Sequence, residues 1–237
     1  MDRNRRWLVD FDPEHFRSRG ESGPVPGPLR AFREAYHSNL WGGRSRSGPG
    51  STADQTAAVA AALPPLCDRL GVARLLDVPC GDFSWMARVE LPGVEYVGGD
   101  IVPEIVETNR RHHSRPGRAF RELDLTRSEL PAADLLLCRD CLVHLSHADV
   151  DAALANISGS DIRWLLTTTF PAESENVDIV TGDWRPIDLT KPPFDLPPPI
   201  ELLNEGCTEQ DGAFTDKSLG LWAVSSIRDR KRPGPEG

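Results

Sequence analysis

The chain of 237 residues has no long apolar run and no surplus of basic residues. Its apolar runs, such as residues 135–138, are far too short to span a bilayer, so we expect no transmembrane segment and no membrane partner. Only Trp7, Leu8 and Val9 follow the basic N-terminus as an apolar stretch. We therefore expect no ordinary secretory signal either.

The charge balance argues against a nucleic-acid partner, and the cysteine content argues against a disulfide framework. Thirty-six acidic residues against 27 basic ones give a formal net charge of −9, the opposite of the balance expected for a protein that grips nucleic-acid backbones. The five cysteines are odd in number, so we expect free thiols in a reducing compartment and a cytoplasmic protein. Cys138 and Cys141 form a C-x-x-C pair, but no second Cys/His pair stands at metal-ligand spacing, and we expect no metal.

The pattern along the chain predicts one α/β domain with extensions. Residues 1–50 are predicted to be an N-terminal extension that covers a site, residues 51–227 the main domain, and residues 228–237 a flexible tail. Within the main domain, residues 171–198 lack helical periodicity, and a loop of that length in a compact domain is usually functional.

Apolar, strand-length segments alternate with helical patterns in the main domain. We predict strands at residues 74–78, 96–99, 120–123, 135–138, 164–168, 199–203 and 219–225. Helices are predicted to begin at a Thr52-x-x-Gln55 capping box, at Pro103 and at Ser146, and the first should be interrupted by Pro64 and Pro65. This alternation predicts a parallel sheet with helices on both faces, closed by an antiparallel strand near one edge.

The first predicted strand leads into a tight loop. Asp77 ends the strand, and Pro79, Cys80 and Gly81 follow at the turn, where glycine lets the backbone approach a ligand closely. In open α/β sheets, ligands bind at the carboxyl ends of the strands, and the first such loop is a favoured place.

Carboxylates also end the next two predicted strands. Asp100, followed by Ile101, is placed to accept hydrogen bonds from a ribose diol, and Asp124, followed by Leu125, suits an adenine amino group. Each acid has a structural alternative as a helix cap or turn former. Together with Asp77, they predict a site for a nucleoside-containing cofactor.

In order and spacing, residues 51–227 resemble a class I S-adenosylmethionine-dependent methyltransferase. Seven motifs go together and are similar to those of a widespread, functionally obscure bacterial methyltransferase group: WGG at 41–43, SGPGS at 47–51, PCGDF at 79–83, CRDCLVHLS at 138–146, TTTF at 167–170, TGDWR at 181–185 and DKSLGLW at 216–222. The resemblance implies a Rossmann-like fold with a seven-stranded, mostly parallel sheet and one antiparallel strand near its edge. It also implies S-adenosylmethionine as the cofactor.

The glycine-rich loop departs from the family pattern. Of three usual glycines only Gly81 remains, with Pro79 and Phe83 in the flanking places, so the loop is expected to follow a different path. A nicotinamide dinucleotide would need the full G-x-G-x-x-G turn to seat its pyrophosphate, whereas S-adenosylmethionine has no phosphate. We therefore favour the methyl donor, and keep an NAD-type oxidoreductase and a non-catalytic S-adenosylmethionine-binding module as alternatives.

The end of the fourth predicted strand holds the candidate catalytic residues. Methyl transfer from a sulfonium depends mainly on positioning, and needs a general base only when a hydroxyl must lose its proton. Asp140, next to the predicted cofactor contact Arg139, is predicted to bind the methionine ammonium or to act as a base partner. His144 is predicted to be the acceptor-side base, and its structural alternative is to pack under the loop.

Further residues are expected to enclose the two ligands. Trp41 and Ser47 precede the first core helix and are predicted to cover the cofactor, with cation–π attraction from Trp41 to the sulfonium. The predicted wall of the acceptor site, for which packing and surface salt bridges are the alternative, consists of Trp184, Arg185, Glu205 and Lys217.

The absence of two motifs narrows the range of expected methyl acceptors. The chain has no Asn/Asp-Pro-Pro-Tyr/Phe run, which enzymes that methylate nucleobase amino groups use to hold a planar amine, and no acidic triplet for a catechol-chelating magnesium. We therefore expect a small polar acceptor, with O-methylation of a sugar or natural-product hydroxyl as the reaction.

Overall fold

The computed structural model describes residues 12–20, 27–42 and 45–228. Part of the predicted N-terminal extension and the predicted tail beyond residue 228 lie outside these residues. No helix in the described part of the chain is long and apolar enough to cross a membrane.

Seven described strands form one mixed sheet. They are β1 (Arg74–Asp77), β2 (Glu95–Asp100), β3 (Arg118–Glu122), β4 (Ala133–Cys138), β5 (Ile162–Thr169), β6 (Glu201–Asn204) and β7 (Ser218–Ala223). The order across the sheet is β3-β2-β1-β4-β5-β7-β6, and β7 runs antiparallel to both β5 and β6 while the other pairs are parallel. Every predicted strand overlaps an observed one, and the predicted fold class is confirmed.

Helices cover both faces of the sheet. The α-helical segments are α1 (His15–Gly20), α2 (Pro28–Ser38), α3 (Ala53–Leu70), α4 (Pro103–His113), α5 (His147–Gly159), α6 (Glu209–Gly212) and α7 (Val224–Arg228), with 3₁₀ turns at Pro49–Ser51, Met86–Arg88 and Leu142–His144. As predicted, Pro103 opens α4, and the Ser146 hydroxyl caps α5 by accepting from the Asp149 amide at 3.2 Å.

The central strand β4 explains why the core has two halves. Leu135 and Leu137 point to the cluster that contains the buried face of α3, while Leu136 points to the cluster that contains the buried face of α5. A parallel strand buried on both faces reads as a continuous apolar run, which is what residues 135–138 are.

Helix α3 corrects two predictions. It runs without interruption through Pro64 and Pro65, although a proline inside a helix costs about 3 kcal/mol. The buried side chains of Val59 and Leu63 lie in the turn of α3 just before this pair. Burial of the apolar face of the helix offsets the cost of the prolines. The predicted capping box is also wrong, because Thr52 makes no side-chain cap hydrogen bond in the described helix and Gln55 instead donates to Thr208 Oγ1 at 2.7 Å.

Residues 171–198, all of which the structure describes, contain no helix or strand, yet they pack closely on the domain. The side chains of Ile187, Leu189 and Phe194 are buried in the core. The Gly182 amide donates to His144 O at 2.8 Å, so this long loop lies directly beside the turn that follows β4.

Candidate active site

A cavity lies at the carboxyl ends of the parallel strands, between residues 46–51 and the turn after β4. The structure brings fifteen of the predicted site residues to its wall: Trp41, Ser47, Asp77, Pro79, Cys80, Gly81, Asp100, Ile101, Asp124, Leu125, Arg139, Asp140, His144, Trp184 and Lys217. Their individual roles remain predictions.

The loop after β1 has no free amide with which to cradle a phosphate. Each backbone N–H of residues 80–84 already has an acceptor within 3.3 Å; in chain order these are Gly99 O, Asp100 Oδ2, Ser47 Oγ, Cys80 O and Asp82 Oδ1. Gly81 has a φ of 52°, and a Cβ at this position would collide with the Ser47 hydroxyl. This closed loop suits a ligand without a pyrophosphate.

Asp100 is held rigidly at the end of β2. Its Oδ1 accepts from the Val102 amide at 2.9 Å and its Oδ2 from the Gly81 amide at 3.1 Å. Burial raises the pKa of Asp100 to about 6 against the opposing effect of these amides. The carboxylate therefore fixes the loop, and it also lines the cavity.

Asp124, which follows β3, likewise stabilises its own turn and lines the cavity. Its Oδ1 accepts from the Thr126 amide at 3.0 Å and from the Thr126 hydroxyl at 2.6 Å, and its Oδ2 pairs with Arg127 Nε at 2.8 Å. Within the chain, Asp124 therefore acts as a turn former. It also lines the cavity, and its contact with an adenine stays a prediction.

Asp77 is buried and faces a partner on the neighbouring strand. The Tyr96 hydroxyl donates to Asp77 Oδ2 at 2.6 Å. Burial raises the pKa of Asp77 to about 7, although this hydrogen bond lowers it.

The Asp77→Asn variant is expected to be more stable than the wild type at pH 8 by about 1–3 kcal/mol. The folded state binds a proton at Asp77 up to about pH 7, whereas the unfolded state loses it near pH 4, so the wild type loses stability as the pH rises between these values. Urea unfolding at pH 8 and pH 4 measures the difference, with exposed Asp161→Asn as the control. An equal change in the free energy of unfolding at both pH values would contradict the raised pKa of Asp77.

A buried cluster of charges lies at the end of β4. Glu205 Oε2 accepts from Arg139 Nε at 3.0 Å and from Nη2 at 2.6 Å, and Lys217 Nζ donates to Asp140 Oδ2 at 2.8 Å. Burial alone would raise the pKa of Asp140, but Lys217 and Arg139 outweigh it and lower the pKa to about 2. Asp140 has a φ of 52°, a conformation that a non-glycine residue keeps only when its surroundings hold it.

Beside this cluster, the structure holds His144 in one tautomer. Its Nδ1 lies 2.8 Å from Asp183 O, and because a carbonyl only accepts, Nδ1 bears the hydrogen and Nε2 has the free lone pair. Burial lowers the pKa of His144 to about 4, so the ring is neutral at physiological pH. His144 ends a 3₁₀ turn, and both His144 and Asp140 line the cavity.

Three predicted site residues do not line the cavity. Phe83 packs in the core against the ring of Phe120, at a centroid distance of 5.1 Å. Arg185 donates through Nη1 to Leu142 O at 2.7 Å, so it supports the His144 turn, and Glu205 is the buried partner of Arg139.

Several lining residues were not predicted from the sequence: Phe32, Tyr36, Phe170, Glu209 and Phe214. Phe32 and Tyr36 lie on α2. Pro28 at the start of this helix is a sequence signal from which the helix could have been predicted. Glu209 and Phe214 lie between β6 and β7, and nothing in their local pattern connects them to the turn after β4.

Within the described residues, no group of three or more His, Cys, Asp or Glu side chains is placed to hold a metal ion. All five cysteines are free in the structure.

Comparison with models of known protein families gives no match, and neither does comparison with curated proteins. Solved structures do match. A Burkholderia thailandensis 1,6-didemethyltoxoflavin-N1-methyltransferase, solved with S-adenosylhomocysteine, aligns with a TM-score of 0.57 and 17% identity over 84% of this chain and 91% of its own. The methyltransferase domain of bacterial CtHen1 aligns with a TM-score of 0.53 and 10% identity over 71% and 98%. This chain has a class I methyltransferase fold.

A third match is human N-acetylserotonin methyltransferase in complex with S-adenosylmethionine, with a TM-score of 0.51 and 15% identity over 88% of this chain. The chain spans 57% of the length of that human enzyme. At these identities the likeness extends to the fold alone.

Proposed function

We propose that this protein is an S-adenosylmethionine-dependent methyltransferase that methylates a hydroxyl group of a small molecule. The observation that carries the proposal is the closed loop after β1, whose amides are all used, beside a fixed Asp100 at the end of β2. Together they suit a nucleoside ligand without phosphates. Bound S-adenosylmethionine and S-adenosylhomocysteine in two of the matched structures support the same cofactor.

The lining residues fit this cofactor. Asp100 would accept hydrogen bonds from the ribose hydroxyls, with Ile101 and Leu125 beside the adenine. Lys217 and Asp140, whose charged groups face each other at 2.8 Å, would receive the carboxylate and ammonium of the methionine end. Held there by Asp100, Lys217 and Asp140, S-adenosylmethionine would supply a methyl group to the acceptor oxygen, with the electron pair of the carbon–sulfur bond left on sulfur.

His144 would act as the general base for the acceptor hydroxyl. Its Nε2 lone pair faces away from the hydrogen bond that Nδ1 makes with Asp183, and the proton of the hydroxyl would pass to it. Trp41 lies against the His144 ring at 5.0 Å and would exclude water from the reacting groups.

We expect S-adenosylhomocysteine to bind the purified protein with micromolar affinity and NAD not to bind at the same concentrations. Separate calorimetric titrations measure both. Binding of NAD alone would overturn the proposal and point to an oxidoreductase. Binding of S-adenosylhomocysteine without methyl transfer to any hydroxyl acceptor would point to a non-catalytic binding module.

A further inference from the structure

Aromatic side chains surround His144 at one end of the cavity. We call this end the ring-lined chamber, and its aromatic residues are Phe32, Trp41, Phe170, Trp184 and Phe214. The acids Asp100, which ends β2, and Asp124, which follows β3, line the cavity on the other side of β1 from β4 and His144. One cavity therefore has a polar end suited to a nucleoside and an aromatic end beside the candidate base.

The rings form two groups. Trp41 and Phe32 contact the His144 ring at centroid distances of 5.0 and 6.4 Å. In the second group, Trp184 lies 5.1 Å from Phe214 and 6.0 Å from Phe170, in edge-to-face geometry. These are the distances and angles at which aromatic rings attract one another, so each group is a packed unit.

Backbone hydrogen bonds hold the second group beside His144. The Arg185 amide donates to Val143 O at 3.1 Å, and the Trp184 amide donates to Pro13 O at 3.1 Å. The Asp183 carboxylate accepts from the Phe16 amide at 2.7 Å. Trp184 is thus fixed from both sides and the chamber is largely formed in advance of binding, which lowers the entropic cost of ordering it.

One of the carboxylates that line the cavity forms no ion pair with any described residue. Arg139 and Lys217 are matched by Asp140 and Glu205. Glu209 lines the cavity near the Asp140–Lys217 pair and accepts from Cys207 Sγ at 3.7 Å, but it forms no ion pair with any residue of the described ranges. A ligand with a negative charge would meet this carboxylate, whereas a protonated amine would be attracted to it.

Resting on the methyltransferase function proposed above, we propose that the chamber binds an acceptor whose hydroxyl is on an aromatic ring and whose substituents are neutral or positively charged. A flat ring gains edge-to-face and offset contacts with both groups of side chains. A sugar has several hydroxyls that need partners, and buried polar groups without them cost free energy. The wall beside His144 gives rings together with Asp140 and Lys217, and these two charged groups are already paired with each other at 2.8 Å.

Three matched probes test the acceptor class: tyramine, 4-hydroxyphenylacetate and methyl glucoside. Each is titrated by ligand-observed NMR into protein saturated with S-adenosylhomocysteine. We expect tyramine to bind about tenfold more tightly than 4-hydroxyphenylacetate, because the ring is the same and the side-chain charge is opposite. Methyl glucoside should not bind at the same concentrations.

Two variants locate the binding. Trp184→Leu should weaken tyramine binding about fivefold to tenfold, and Trp164→Leu, which changes a tryptophan outside the cavity lining, is its matched control. Glu209→Gln should remove most of the difference between tyramine and 4-hydroxyphenylacetate. Unchanged tyramine binding in Trp184→Leu would overturn the placement.

The same samples separate this inference from the proposed function. A failure of S-adenosylhomocysteine to bind would remove the methyltransferase proposal itself. If it binds while methyl glucoside is preferred, or while none of the probes binds, the aromatic acceptor is wrong and the methyltransferase stands. A loss of S-adenosylhomocysteine affinity in Glu209→Gln would assign that carboxylate to the cofactor and overturn the charge preference.

Discussion

The Glu205→Gln variant is expected to lose about 3–5 kcal/mol of its free energy of unfolding. The Glu205 side chain is only 1% exposed, and its carboxylate accepts two hydrogen bonds from Arg139, whose own side chain is 5% exposed. Without the Glu205 charge, the cations Arg139 and Lys217 face Asp140 as the one carboxylate paired with them. Urea unfolding at pH 7 measures the loss.

Two further variants test whether buried charge is the cause. Glu201→Gln breaks an exposed pair with Arg69 at 2.6 Å and should cost less than about 1 kcal/mol. The double variant Arg139→Met/Glu205→Gln removes one charge of each sign and leaves Lys217 paired with Asp140, so it should recover much of the lost stability. A double variant that is less stable than Glu205→Gln alone would contradict this account.

The fold could be predicted because its signals are local. Strand β4 shows its burial on both faces as an unbroken apolar run, and α5 shows its single buried face as apolar residues that repeat with the helical period. Such patterns depend only on neighbouring residues. The proline pair in α3 is different, because the packing that offsets its cost comes from strands distant in sequence and leaves no local signal.

At the strand ends, the sequence indicates which residues line the cavity, while their roles stay predictions. Asp77 and Asp100 end their strands and Asp124 lies two residues after β3, so the topology alone brings them to one edge of the sheet. Glu209 reaches the same cavity from the connection between β6 and β7, far away in sequence. No spacing rule links it to Asp140.

The type of a side chain does not reveal its partner. The sequence predicts Arg185 in the wall of the acceptor site, yet in the structure its guanidinium donates to Leu142 O and Leu145 O. Both uses satisfy the same donors. Contacts between residues distant in sequence decide between them, and here they make Arg185 a support for the turn that ends at His144.

His144→Ala is expected to slow methyl transfer by about 10²–10⁴-fold. The variant loses the Nε2 lone pair that would take the acceptor proton, while the groups proposed to hold the cofactor are unchanged. Affinity for S-adenosylhomocysteine should therefore stay close to that of the wild type. Single-turnover transfer of a labelled methyl group to an acceptor identified with the probes above measures the rate.

His144→Asn separates a base from a positioning residue. Asparagine keeps a side-chain N–H for the Asp183 carbonyl but has no basic nitrogen, so it should be as slow as alanine if proton transfer is the role. In the wild type, the pKa of His144 near 4 keeps the base form present from about pH 5 upward, and the rate should fall as the pH drops toward 4. If His144→Asn keeps the wild-type rate, His144 acts only by holding the loop at Asp183. In that case the acceptor hydroxyl loses its proton without help from this ring.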